Sequence, residues 1–330
     1  MDIEALKKHA KNIRINIIKE VSNANSGHPG GSLGAADILT VLYYEVMDFT
    51  KENAGSLDRD RFVLSKGHAS PLLYAILAEK GVIEEEELLT FRKLHTRLQG
   101  HPDLNELDGI DMSTGSLGQG ISAAVGMALA NRLDKNDHRI YTLVGDGEAE
   151  EGQVWEAAMA AGHYGLDNLC AIIDENGLQI DGKTSDVISP APFEEKFRAF
   201  GWHVISVDGH DFVALKAAFD EAKTVKGKPT CIVAKTVKGK GVSYMENEAG
   251  WHGKAPNAEL TAVALKVLHE GEYVWQRLHV KRMVRRSLSL FRKIRRLLFL
   301  MLTLRALHTV QRHRKYALKD SLTWVLLKQI

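Results

Sequence analysis

The sequence predicts an α/β fold, doubly wound, with a mostly parallel sheet and helices on both faces. The apolar runs 140–144 and 169–173 carry no polar alternation, the pattern of strands buried on both sides. Each run stops abruptly at a polar turn, Gly145-Asp146-Gly147 after the first and Asp174-Glu175-Asn176 after the second. Helix-like and strand-like segments alternate over residues 1–270, the rhythm of β–α–β units.

In chain order, residues 1–8 read as a polar amphipathic helix and not as a signal peptide, so a cytoplasmic location is expected. Segments 36–47, 71–80, 120–133, 154–164, 192–200 and 212–225 read as helices, and 62–64, 141–144, 171–173, 203–207 and 230–234 as central strands. The charge run 84–87 reads as a solvated helix start. A hydrophobic content of 45% and 28 glycines allow a large core and many tight turns. Cys170 and Cys231 both lie inside apolar strand-like runs, where reduced, buried thiols are expected. There is no internal repeat.

Adjacent parallel strands would bring Asp146 and Asn176 to one sheet edge, where open α/β sheets bind ligands. One carboxylate, one amide oxygen and a free backbone carbonyl suit a hard cation such as Mg2+ or Ca2+. Mg2+ held by so few protein groups shares its remaining positions with phosphates and water. Gly147 has no Cβ to keep a phosphate oxygen from its backbone N–H. Taken alone, Gly-Asp-Gly marks a turn. The 28 residues between Gly147 and Asn176, enough for one helix and a strand, make it more than that.

That spacing resembles the thiamine diphosphate motif. The residues that follow, Glu151-Gly152 and Trp155-Glu156-Ala157-Ala158, narrow the resemblance to transketolase. The sister enzyme deoxyxylulose-phosphate synthase usually carries Thr-Gly-Gly where this chain has Glu150-Glu151-Gly152. Independent matches stand elsewhere, in the family's order. They are Ala24-Asn-Ser-Gly-His28-Pro-Gly-Gly-Ser-Leu-Gly34, Leu64-Ser-Lys-Gly-His68-Ala, Gly100-His101-Pro102, Thr114-Gly-Ser-Leu117-Gly-Gln-Gly120, Lys235-Thr-Val-Lys-Gly-Lys-Gly241 and Trp251-His252-Gly253. The match covers residues 1 to about 270, the N-terminal half of transketolase, which some prokaryotes make as a separate subunit.

The resemblance implies a thiamine diphosphate-binding fold over residues 1–271 and assigns residues to roles. Asp146, Asn176 and the Leu178 carbonyl would hold the metal, Mg2+ with Ca2+ or Mn2+ as alternatives. His68, His252 and Gly147 would meet the diphosphate, with Lys238 nearby, and Gly115, Ser116 and Leu117 would line the aminopyrimidine side. His28, His101 and His252 would be catalytic, stabilising an alkoxide and moving hydroxyl protons. Glu151 would couple cofactor sites across a subunit interface. Glu148 and Glu150 are read as exposed acids at a helix N-terminus. His9, His138, His163 and His203 are read as structural or exposed, and His95 and His210 stay open.

The implied activity is transfer of a two-carbon ketol unit from a ketose phosphate to an aldose phosphate, as in the pentose phosphate pathway. The glutamate that protonates the aminopyrimidine belongs to the family's other half, so a partner C-terminal subunit is expected, in an α2β2 assembly. The alternatives are a ketolase of neighbouring specificity, such as dihydroxyacetone synthase, and a regulatory or non-ketolase cofactor-binding subunit.

Residues 272–330 do not match. From residue 273 onward there is no glycine, one acid (Asp320) and 15 Lys+Arg, which leaves residues 1–272 with 28 of the 43 basic and 41 of the 42 acidic residues. Such a basic, leucine-rich tail ordinarily suggests a membrane or nucleic-acid arm; neither is expected here. Back-translated and shifted one base upstream, residues 297–304 can spell Val-Val-Val-Leu-Asp-Ala-Asp-Leu, similar to the opening strand of transketolase's other half. Residues 324–330 can likewise spell Gly-Ile-Ala-Glu-Ala-Asn, similar to the segment bearing its catalytic glutamate. The tail is therefore read as a partner gene translated out of frame, non-native and poorly ordered.

Overall fold

The computed structural model describes residues 1–270. The readings of the tail as out of frame and poorly ordered lie outside the described residues.

Helix α1 (Ile3–Ala24) starts where the Asp2 side chain accepts the N–H groups of Glu4 at 3.0 Å and Ala5 at 3.1 Å, a cap that stabilises a helix by about 1 kcal/mol. It ends at Asn25 in the left-handed conformation. The amphipathic segment 1–8 is thus only the opening of a much longer helix, whose buried stripe includes Ile13, Ile17 and Ile18. Next come α2 (Pro29–Gly34), α3 (Ala36–Val41), β1 (Arg61–Leu64), α4 (Ser70–Glu79), α5 (Gln119–Leu133), β2 (Ile140–Gly145) and α6 (Gly152–Tyr164). They are followed by β3 (Leu169–Glu175), the short strands β4 (Leu178–Gln179) and β5 (Gly182–Lys183), α7 (Thr184–Val187), α8 (Phe193–Ala199), β6 (His203–Asp208), α9 (Phe212–Thr224), β7 (Thr230–Lys235) and α10 (Ala258–Glu270).

The five long strands form one parallel sheet in the order β1-β2-β3-β7-β6, and β4 and β5 pair as a separate antiparallel hairpin. The apolar runs lack alternation because both sheet faces are covered. Tyr141, Leu143, Cys170, Ile172 and Ile232 enter a core shared with α1, α3, α4 and α9. Ile140, Val144, Leu169, Ala171, Ile173 and Val233 enter the opposite core with α5, α6 and α8. Each fully buried aliphatic side chain contributes roughly 1.5–3 kcal/mol. Both cysteines are free and buried, one against each core.

Two expected helices differ in form. Segment 36–47 leaves the α-helix at Val41 and continues as a π-helical turn, Leu42–Val46. The charge run 84–87 leads into a 3-10 turn, Glu85–Thr90. No described helix is long and apolar enough to cross a membrane.

Candidate cofactor-binding site

β2 and β3 lie side by side with Gly145 opposite Asp174, so their C-terminal turns emerge together. Asp146 is 2% exposed. Its Oδ1 accepts the N–H of Gly147 at 2.8 Å, and its Oδ2 accepts the N–H of Gly177 at 2.5 Å, beside Asn176. Asn176 Oδ1 accepts the Leu178 N–H at 3.1 Å, while its Nδ2 donates to Asp174 Oδ2 at 3.2 Å. Lys238, on the loop after β7, donates from Nζ to the Leu178 carbonyl at 3.0 Å and lies 3.0 Å from His252 Nδ1. These residues line a cavity of about 330 Å³, together with His68, Leu117, Gly147 and Glu151.

The backbone N–H of Gly147, expected to face a phosphate, is instead donated to Asp146. Glycine is required there because a Cβ would lie 2.7 Å from Gln179 Cβ.

The histidines of three distant motifs meet. The His28 and His68 rings are 5.2 Å apart, His28 and His252 5.4 Å, and His68 and His252 4.9 Å. Burial, and then the charge of Arg92, lowers His28 to about 4; burial, and then Lys238, lowers His252 to about 3. His68 is also held well below its ordinary range, chiefly by burial. All three are neutral at pH 7, so each ring has one nitrogen to donate and one to accept. His28 Nδ1 is buried without a hydrogen-bond partner among the described residues. His28, His101, Gly115 and Ser116 flank the cavity and do not line it. His101 packs against Gly115, where a Cβ would lie 3.0 Å from its ring.

In the cavity wall, Lys66 donates to Asp174 Oδ2 at 2.5 Å and to the Gly31 carbonyl at 3.0 Å, and Thr236 donates to Asp174 Oδ1. Burial opposes the charge on Asp174, but Lys66 outweighs it and holds the carboxyl below its ordinary range. On Asp146, burial and then the nearby Asp174 charge outweigh the Gly177 and Gly147 N–H groups and Lys238, and raise it to about 7. Burial, and then Lys66, lowers Lys238 to about 8. Sequence reasoning named neither Lys66 nor Asp174 as functional, although both stand inside motifs it quoted.

Asp146, Asn176 and the Leu178 carbonyl present an all-oxygen donor set, the chemistry a hard divalent cation takes, with the Lys238 ammonium on the Leu178 carbonyl. Among the described residues no cluster of three His, Cys, Asp or Glu side chains is placed to hold a metal.

Glu148 corrects the sequence reading. It is 3% exposed, not a solvated helix-end acid, because α6 begins only at Gly152 and Glu148 lies in a turn packed against two other segments. Glu150 is half-buried, and Glu151 is exposed at the cavity rim. His9, His138 and His203 pair with Glu79, Asp58 and Glu221, away from the cavity.

The family described as transketolase, thiamine diphosphate binding domain, matches residues 5–271, a span that contains every residue of the cavity. The chain belongs to the transketolase family. It is 46% identical over 265 residues to the 6-deoxy-6-sulfo-D-fructose transketolase subunit SqwG of Clostridium sp. (strain MSTE9), covering 80% of this chain and 96% of that protein. It is 41% identical over 270 residues to an apulose-4-phosphate transketolase subunit of Phocaeicola vulgatus, covering 82% and 96%. The crystal structure of the Campylobacter jejuni transketolase superposes with a TM-score of 0.76 at 38% identity, over 82% of this chain and 43% of that one. The chain thus spans nearly all of two relatives named as subunits and less than half of a longer transketolase chain.

Proposed function

We propose that this chain is the thiamine diphosphate- and Mg2+-binding subunit of a two-subunit transketolase. It would transfer a two-carbon ketol unit from a ketose phosphate to an aldose phosphate, as in the pentose phosphate pathway. The observation that carries this reading is the junction of β2 and β3, where Asp146 reaches the backbone beside Asn176 and the Leu178 carbonyl faces a buried cation, Lys238.

Asp146, Asn176 and the Leu178 carbonyl would hold Mg2+, and His68, His252 and Lys238 would take the diphosphate oxygens. Leu117, with Gly115 and Ser116 beside it, would face the aminopyrimidine. When bound, thiamine diphosphate supplies a nucleophilic thiazolium carbon and an electron sink for the two-carbon fragment. His28, His101 and His252 would then accept and return the protons of the sugar oxygens.

The glutamate that engages the aminopyrimidine would come from a pyrimidine-binding partner, in an α2β2 assembly with the exposed Glu151 at the interface. The test is to mix the purified chain with the polypeptide encoded beside its gene and assay ketol transfer with thiamine diphosphate and Mg2+. Activity is expected only in the mixture. A mixture inert toward every ketose phosphate would favour the regulatory alternative.

A further inference from the structure

Glu148 belongs to neither the cation set nor the histidine cluster, yet its carboxylate is buried and fully engaged. Ser65 Oγ donates to Oε1 at 2.6 Å, the Gly118 N–H donates to the same oxygen at 2.9 Å, and the Gly145 N–H donates to Oε2 at 2.9 Å. The three donors come from three separate segments. Ser65 follows β1 and leads to Lys66 and His68, Gly118 closes the loop of Gly115, Ser116 and Leu117, and Gly145 ends β2 just before Asp146.

Around this carboxylate the segments touch backbone to backbone. A Cβ on Gly67 would lie 2.7 Å from Gly115 N, and one on Gly120 would lie 2.5 Å from Ser65 Cα. Three donors converging on one buried point are matched by a carboxylate, which accepts at both oxygens and donates nothing.

We propose that Glu148 is a positioning residue for the cofactor, a single carboxylate that fixes loop 115–118 at a set separation from the turn at 145–147. The inference rests on the proposed function and deepens it. The ring end and the phosphate end of one ligand have to be held at a fixed spacing, and Glu148 is bonded to the protein segments facing both. Glu148→Gln would turn an amide donor toward one of the three donors, and Glu148→Ala would remove every acceptor.

Both variants are made in the full 330-residue chain. Without ligand, amide hydrogen exchange across 114–120 is expected to accelerate about tenfold in the Gln variant while α8 and α9 keep wild-type protection. Unchanged exchange at 114–120 overturns the proposal. Calorimetry in Mg2+ then compares thiamine diphosphate with inorganic pyrophosphate. In the Gln variant the Kd for thiamine diphosphate should rise about tenfold, while that for pyrophosphate stays within about threefold of wild type. Equal losses for both ligands, or none for either, overturn the proposal. Wild-type chain that binds neither ligand overturns the cofactor role together with the proposed function, whereas a failure of Glu148 alone leaves wild-type binding intact.

Discussion

His210 accepts the backbone N–H of Val237 at Nε2, 2.9 Å away, while its Nδ1 lies 2.8 Å from Asp37 Oδ2. An accepting Nε2 places the ring proton on Nδ1, so Asp37 fixes the tautomer. Asp37 is itself held by a two-pronged pair with Arg14 at 2.8 and 2.7 Å. Burial opposes the charge of Asp37, but Arg14 and His210 outweigh it and bring its pKa down to about 2. The chain of contacts ends one residue before Lys238. His210→Phe should therefore orphan the Val237 N–H, at a cost of about 1–3 kcal/mol, and loosen the loop that aims Lys238. The measurement is pyrophosphate affinity in Mg2+, expected to fall about tenfold. Wild-type affinity in a stable His210→Phe chain refutes the link.

The histidine cluster makes stability depend on pH with a definite sign. His28 has a folded pKa of about 4, below its ordinary 6.5, with Arg92, His101, His68, His252 and Lys238 around it. Above pH 6.5 both folded and unfolded chains carry it neutral, and its contribution is fully present. As the pH falls toward 4 the unfolded chain takes up the proton first and that stability is lost, about 2 kcal/mol after allowing for partial exposure. Denaturant unfolding of His28→Gln between pH 7 and pH 4 should show a shallower decline than wild type. An identical slope contradicts the assignment.

Asp146 is expected to carry the response to metal. Asp146→Asn keeps an oxygen for the Gly177 N–H but turns its amide nitrogen toward the Gly147 N–H, so the ligand-free chain should melt below wild type, by the cost of one lost buried hydrogen bond, about 1–3 kcal/mol. With thiamine diphosphate and Mg2+ at about a hundred times Kd, wild type should gain about 3 kcal/mol, and the variant should gain nothing measurable. Chelating Mg2+ should return wild type to its own ligand-free melting temperature. A variant that responds to Mg2+ as wild type does would remove Asp146 from the cation set.

The sheet was legible because its strands are buried on both faces, which leaves unbroken apolar runs ending at polar turns. The hairpin of β4 and β5 was not, since two-residue strands have no period to read. That the turns carrying Asp146 and Asn176 emerge side by side could be anticipated because neighbouring parallel strands end together. Glu148 was misread for the opposite reason. Its partners Ser65 and Gly118 are 83 and 30 residues away in sequence, and only tertiary packing turns a helix-end acid into a buried fastener. Lys66 and Asp174 were overlooked because a buried ion pair leaves no local pattern, one partner sitting after β1 and the other inside β3. The form of segment 36–47 also escaped notice, since an apolar run with helical spacing does not distinguish an α-helix from one that ends in a π turn.

Charge changes sign abruptly near residue 272, and the coding DNA can say why. Residues 1–272 carry 28 basic and 41 acidic side chains, and the 58 residues after them carry 15 basic and one acidic, a break in composition at a single point. A natural arm would have been selected as protein, and its codons would spell nothing coherent one base upstream. A partner gene read out of frame would instead carry its protein-level selection in that upstream frame. Sequencing the coding strand across residues 273–330 is expected to give an open frame, one base upstream, containing Val-Val-Val-Leu-Asp-Ala-Asp-Leu at residues 297–304 and Gly-Ile-Ala-Glu-Ala-Asn at the end. Codons that fail to spell either string return the tail to the reading of a basic amphipathic arm, for which vesicles of anionic lipid are the probe.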